Sequence, residues 1–236
     1  MTRPWRPLVP VALAAALVLT ACGSGHPSGT ATQGPQAADL YAAARRSAAS
    51  ATSAHVTGSS TTAGVTSTID LVGNRSGSNS RVVLRTGDEG PVEIRVVDGA
   101  TYLKGDRAYW TKQADARTAA AVAGRFVRLG GDQVKAPGLT LSSVLDRVFT
   151  EEELGQVDTL NAKVGTATVD GHSAYVLSQR VGGDGARMSV STDSRHDLLR
   201  VDGTTKKPGT LHFSQWNAAP TVTAPPAGQV APLPSR

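Results

Sequence analysis

Apolar positions recur along this chain in three rhythms. The first is an unbroken run from Leu8 to Leu19, 12 residues long, where a helix crossing a bilayer needs about 20. The second begins at residue 36. Ala37, Leu40, Tyr41, Ala44, Ala48 and Ala51 stack on one face of a helix, with Arg45 and Arg46 turned away from most of that stripe. The third rhythm is the short alternation of strands, expected at 54–61, 66–73, 80–87, 91–98, 100–104 and 107–112. In Val92-Glu93-Ile94-Arg95-Val96 the apolar side chains share one face and the charges the other. Asp98-Gly99, Gly105-Asp106 and the Gly87–Gly90 stretch supply turns between these runs.

A helical insert is expected across 113–154. It contains an alanine-rich stretch, then Leu141, Val144, Leu145 and Val148 at helical spacing, then a short turn opened by Glu151-Glu152-Glu153. Strands resume at 157–169, 172–180, 186–193, 197–204 and 209–216, with Asp170-Gly171 and the Gly182–Gly185 loop as hairpin turns. Five prolines mark 220–236 as an extended edge and loose tail. The order predicts an α+β domain in which one curved antiparallel sheet wraps over helices.

The start of the chain has its own chemistry. Arg3 and Arg6 precede the apolar run, and Leu19-Thr20-Ala21 leads into Cys22, the single cysteine. A basic start, a short apolar segment and a small-residue cleavage site describe an export signal. Leu19 to Cys22 resembles the lipobox of bacterial lipoproteins, which implies that Cys22 is acylated and becomes the mature N-terminus. The expected organisation is a leader at 1–21, a lipidated end and flexible linker at 22–35, a domain at 36–219 and the tail at 220–236. A linker of this length places the domain roughly 20 Å from the anchor. The formal charge of +5 includes Arg3 and Arg6. The remaining cations are scattered, a solvated surface attracted weakly to anionic membrane and no nucleic-acid footprint.

The pattern as a whole is similar to that of the LppX/LprG-type mycobacterial lipoproteins and, more distantly, the LolA-like carriers of the bacterial envelope. The likeness rests on the lipobox, the helix followed by Ser53-Ala54-His55-Val56, and the run from Ile94 to Trp110. It rests also on Val169-Asp170-Gly171-His172 and the closing Phe213-Ser214-Gln215-Trp216. The resemblance implies a β half-barrel with helices packed on its concave face around an apolar cavity for acyl chains. The lining then comes from inward apolar residues, expected to be Ile69, Leu71, Ile94, Val96, Tyr102, Trp110, Phe126, Leu141, Leu145 and Phe149. Each of these equally fits a filled core, because an apolar stripe looks the same whether it meets a neighbour or a lipid.

Motifs for catalysis are missing from the sequence. His26, His55, His172, His196 and His212 lack metal-ligand spacing, and no nucleophile elbow, phosphate loop or dinucleotide fingerprint occurs. Tyr109-Trp110, placed on the strand at 107–112, can turn only one ring inward. No cofactor is expected. Three readings remain: a lipid-anchored protein holding an acyl-chain ligand; a sensor or protein-interaction module with a filled core, meeting an envelope protein; and an envelope hydrolase, which the sequence supports least. Cys22→Ser is expected to abolish acylation, read as loss of the diacylglycerol mass and of the chain from the membrane fraction.

Overall fold

The computed structural model describes residues 34–130, 139–150, 162–178 and 185–232. The expected turn at Glu151–Glu153 and most of the Gly182–Gly185 loop lie outside these residues. Helix α1 (Ala37–Ser50) leads into strands β1 (Ser53–Thr62), β2 (Val65–Asn74), β3 (Ser80–Thr86), β4 (Val92–Val97) and β5 (Ala100–Gly105). Helices α2 (Arg107–Gln113) and α3 (Ala116–Val122), strand β6 (Phe126–Leu129) and helix α4 (Leu141–Thr150) follow. The chain then forms β7 (Lys163–Val169), β8 (His172–Ser178), β9 (Arg187–Ser191), β10 (Leu198–Asp202) and β11 (Gly209–Ser214), and ends in β12 (Val230–Ala231). All the strands join one sheet in the order β12-β6-β5-β4-β3-β2-β1-β11-β10-β9-β8-β7. It is a curved, open sheet, antiparallel except for the parallel β6–β12 pair.

Register explains why so wide a sheet holds together. Partners directly opposite one another project to the same face. Phe213, Val56, Leu71, Val82, Ile94, Leu103, Val127 and Ala231 are successive partners across β11, β1–β6 and β12. Two residues along the strands runs a parallel row: Val164, Leu177, Met188, Val201, Leu211, Gly58, Ile69, Leu84 and Val92. Both rows lie on the concave face. A one-residue slip in any strand would carry its share of both rows to the opposite side.

Two sets of helices cover this face. Ala37, Leu40, Ala44 and Ala48 of α1 and Leu141, Val144, Leu145, Val148 and Phe149 of α4 share one core with Val56, Leu71, Val82, Leu177, Met188, Val190, Leu198, Val201, Phe213 and Trp216. The small side chains of α1 let its axis approach the sheet closely. Asp197 fixes its C-terminal half: this buried carboxylate accepts from the Ser47 hydroxyl at 2.5 Å and meets the Arg195 guanidinium at 2.8 Å. The buried charge is thereby paired and hydrogen-bonded, as burial requires. A second core joins Trp110, Ala119 and Val122 of α2 and α3 to Ile94, Leu103 and Val127.

The sequence and structure part at specific places. Residues 107–112 form helix α2 where a strand is expected, because the Asp106 side chain caps it, accepting from the Tyr109 N–H at 2.8 Å. Tyr109 and Trp110 therefore do not alternate across a sheet but meet edge to face, 5.3 Å between centroids. Strand β6 lies within the expected helical insert. Residues 217–232 are not loose throughout. Asn79 bonds both the N–H and the C=O of Val222, Arg95 donates to the Thr223 carbonyl, and β12 pairs with β6.

Leu71 has no exposed surface and stands where both neighbouring strands and the helices meet its row. Leu71→Ala is expected to cost about 2–5 kcal/mol, measured as a lowered midpoint in urea unfolding with an unchanged slope.

Candidate functional site: a groove beside helix α4

Strands β1 and β2 each have ten residues and reach about 34 Å. They continue past the helices and turn at Ala63-Gly64, both in the left-handed region (φ 49° and 79°). The helical roof ends before the concave face does. Beyond α4 lies a cavity of about 640 Å³, open to solvent. Its floor is part of the second apolar row, namely Ile69, Leu84, Val201 and Leu211, and Leu139 and Val144 form one wall. Ile69, Leu84, Leu139 and Leu211 are only half-buried, although they pack against the main core. They are the uncovered margin of that core.

Gly58 is part of this floor's geometry. A Cβ there would stand 2.1 Å from the Thr210 carbonyl oxygen and 2.7 Å from the Leu211 Cδ2. The missing side chain lets β11 and the Leu211 isobutyl group close over β1. Toward the hairpin end the concave positions turn polar: Ser60 and Ser67 face one another, with Gly209 on the other side of Ser60. The far rim is the β10–β11 loop, Gly203–Pro208, carrying Lys206 and Lys207, while Arg147 of α4 stands in the wall. From floor to rim the surface passes from aliphatic to hydroxyl to cationic.

The wall is held by the α1–α4 contact. The Tyr41 hydroxyl donates to the Phe149 carbonyl at 3.0 Å, and the two rings meet edge to face with centroids 5.6 Å apart. Burial pushes the Tyr41 phenol above its ordinary value, with Arg45 opposing, so it remains a donor at neutral pH. At the other end of α4 the Thr140 hydroxyl oxygen accepts from the Ser143 N–H.

Of the ten side chains expected to line a cavity, Ile69 lies in this groove. Leu71, Leu141, Leu145 and Phe149 fill the main core, and Ile94 and Trp110 the second. Val96 is half-buried at the far end of the concave face. Tyr102 and Phe126 correct the expectation. Tyr102 pairs with Arg95 and Arg128, and Phe126 pairs with Lys104, all on the outer face. The Arg95 guanidinium lies 4.8 Å from the Phe126 ring centroid. Leu84, Val201 and Leu211 were missed. Their alternation was visible, but which inward residues stay unroofed depends on where α4 ends.

No three of the described His, Cys, Asp and Glu residues gather as a metal site would require. His55 is 3.0 Å from Asp70, His212 is 2.7 Å from Asp170, and His196 reaches the Ser191 carbonyl. The first two are paired on the outer face, away from the groove. A second depression of about 470 Å³ beside Gly34–Ala37, Ala162 and Tyr175 is shallower and has little apolar floor.

The architecture is that of a curved-sheet α+β domain with one end of its concave face uncovered. LprF from Mycobacterium bovis is similar to it in fold: its crystal structure aligns over 80% of this chain and 96% of that one, at 16% identity and a TM-score of 0.52. The Mycobacterium tuberculosis lipoprotein LppX aligns over 79% and 99%, at 16% identity and a TM-score of 0.45. The resemblance to the LppX/LprG-type lipoproteins thus holds at the level of the fold. No protein-family model matches the sequence, and no curated protein aligns with it significantly.

Tyr41→Phe keeps the ring contact and removes the bond to the Phe149 carbonyl. It is expected to lower stability by about 1 kcal/mol, measured by chemical denaturation against the parent chain.

Proposed function

We propose that this protein is a lipid-anchored, extracytoplasmic binder that takes an acyl chain into the groove beside α4. The observation that carries the reading is the unroofed floor of Ile69, Leu84 and Leu211, beside the buried Val201, an apolar surface that the protein's own helices leave open. Its volume of about 640 Å³ lies within the range of small-molecule sites, about 300–1,000 Å³. Covering that floor with hydrocarbon gains about 25 cal/mol per Å² and requires no exact geometry, which suits a flexible chain. The fold shared with LprF is compatible with this use. The anchor is proposed from Cys22 and the segment before it, and transport is one role such a binder serves.

The sensor reading draws on the same scaffold but asks for a broad apolar surface to meet a protein. Among the described residues the large apolar side chain that counts as exposed is Val65, at 46%. The outer face carries Asp70, Arg81, Glu93 and Arg95 in successive ion pairs. Its central strands offer an envelope protein little that is apolar. The described lining of the groove carries hydroxyls and cations, and the proposal is of a binding site.

The test uses the full chain with Cys22→Ser, incubated with a membrane lipid extract and examined by native mass spectrometry. A retained species of acyl-lipid mass is expected. Leu211→Trp, which places an indole over the floor, should reduce its occupancy at least about ten-fold while circular dichroism stays unchanged. An unliganded mass at every lipid ratio overturns the reading.

A further inference from the structure

We infer that the site takes a single acyl chain whose headgroup is anionic, with Lys206 and Lys207 holding the head. This deepens the acyl-binding proposal and rests on it.

The argument begins with the loop. Gly203 donates its N–H to the Gly209 carbonyl at 2.8 Å, closing the loop's base, and the Thr61 N–H donates to the Pro208 carbonyl at 2.8 Å, fixing it to β1. Inside it the Lys207 N–H bonds the Thr204 hydroxyl at 3.1 Å. A Cβ on Gly203 would stand 2.2 Å from the Lys207 carbonyl oxygen, so glycine lets the loop fold back this tightly. The two lysines are thus carried on a braced loop at one edge of an apolar floor. Neither makes an ion pair among the described residues, and none of the described residues lining the groove is Asp or Glu.

Charge and polarity then match one kind of occupant. An acyl tail on Ile69, Leu84, Val201 and Leu211 would leave the concave hydroxyls of Ser60 and Ser67 beside its carbonyl end. The lysine ammonium groups would stand at the headgroup. A cationic head would meet like charge. A neutral head would leave the rim's charge unused.

Size sets the number of tails. If each carbon takes about the room of a liquid water, about 30 Å³, a hexadecanoyl chain fills on the order of 500 Å³. The groove's 640 Å³ has room for one such chain. The anionic head belongs either to a free fatty acid or to a phospholipid with one seated tail, and the shared chemistry is a negative oxygen at the end of one chain.

The experiment titrates the full chain carrying Cys22→Ser with three ligands of one tail: hexadecanoate, hexadecanoyl-lysophosphatidylglycerol and neutral monohexadecanoylglycerol. At least one anionic ligand should bind roughly ten-fold tighter than the neutral one, an advantage that shrinks as salt is raised. The double variant Lys206→Glu/Lys207→Glu, changed at two exposed positions, should erase that advantage, so that the anionic ligands bind no tighter than the neutral one. Preference for hexadecanoate identifies a fatty acid as the source, and preference for the lysolipid a phospholipid head. Equal affinity for all three overturns the headgroup inference while the acyl-binding reading stands. Failure of all three to bind overturns both.

Discussion

Everything in this molecule depends on keeping two apolar rows in register across its sheet. One runs from Phe213 through Val56, Leu71, Val82, Ile94 and Leu103 to Val127. The other runs from Val164 through Val201, Leu211 and Ile69 to Val92. Sheets of this width twist, and a twisted sheet with one apolar face must cover that face or leave it to a ligand. Here coverage is by helices of limited length. Helix α1 has 14 residues and α4 has ten, or about 21 and 15 Å, against about 34 Å for β1 and β2. The groove is the remainder, fixed by the mismatch between strand and helix.

Much of this was legible because it is local. The turns at Asp98-Gly99 and Asp170-Gly171 put both residues at positive φ, the geometry that Asp-Gly supplies most readily. The alternation in 92–96 and the helical stripe from Ala37 to Ala48 placed β4 and α1 on the correct faces. Where local signals competed, the reading slipped. Asp106 serves equally as a turn residue, as read with Gly105, and as a helix cap, and in the fold it caps α2. Ala63-Gly64 makes the same kind of turn in the gap between the strands expected at 54–61 and 66–73, with an alanine in a conformation it rarely adopts.

The groove was less legible than the fold for a different reason. Leu71 and Ile69 are two residues apart on one strand and face the same way, yet one is sealed in the core and the other half open. Nothing in their own neighbourhood separates them. Residues 139–150 decide it, because α4 roofs one and not the other. Tyr102 and Phe126 failed for a similar reason. Each is aromatic and on a strand, but their register partners, Arg95 and Lys104, mark the outer face, and that pairing becomes known only with the topology.

The outer face makes the asymmetry of the sheet complete. Residues 217–232 cross toward β6, with Val222 tied to Asn79 and Thr223 to Arg95. The Arg81–Glu93–Arg95 pairs occupy the central strands beside them. Their consequence is to make the outer surface poor for apolar contact. With one face ionic and strapped and the other roofed along most of its length, the apolar floor between α4 and the β10–β11 loop is where a hydrocarbon chain gains most by leaving water. Filled core and open groove are therefore not alternatives here. The filled core beneath α1 and α4 holds the sheet in the curvature that keeps its uncovered end open.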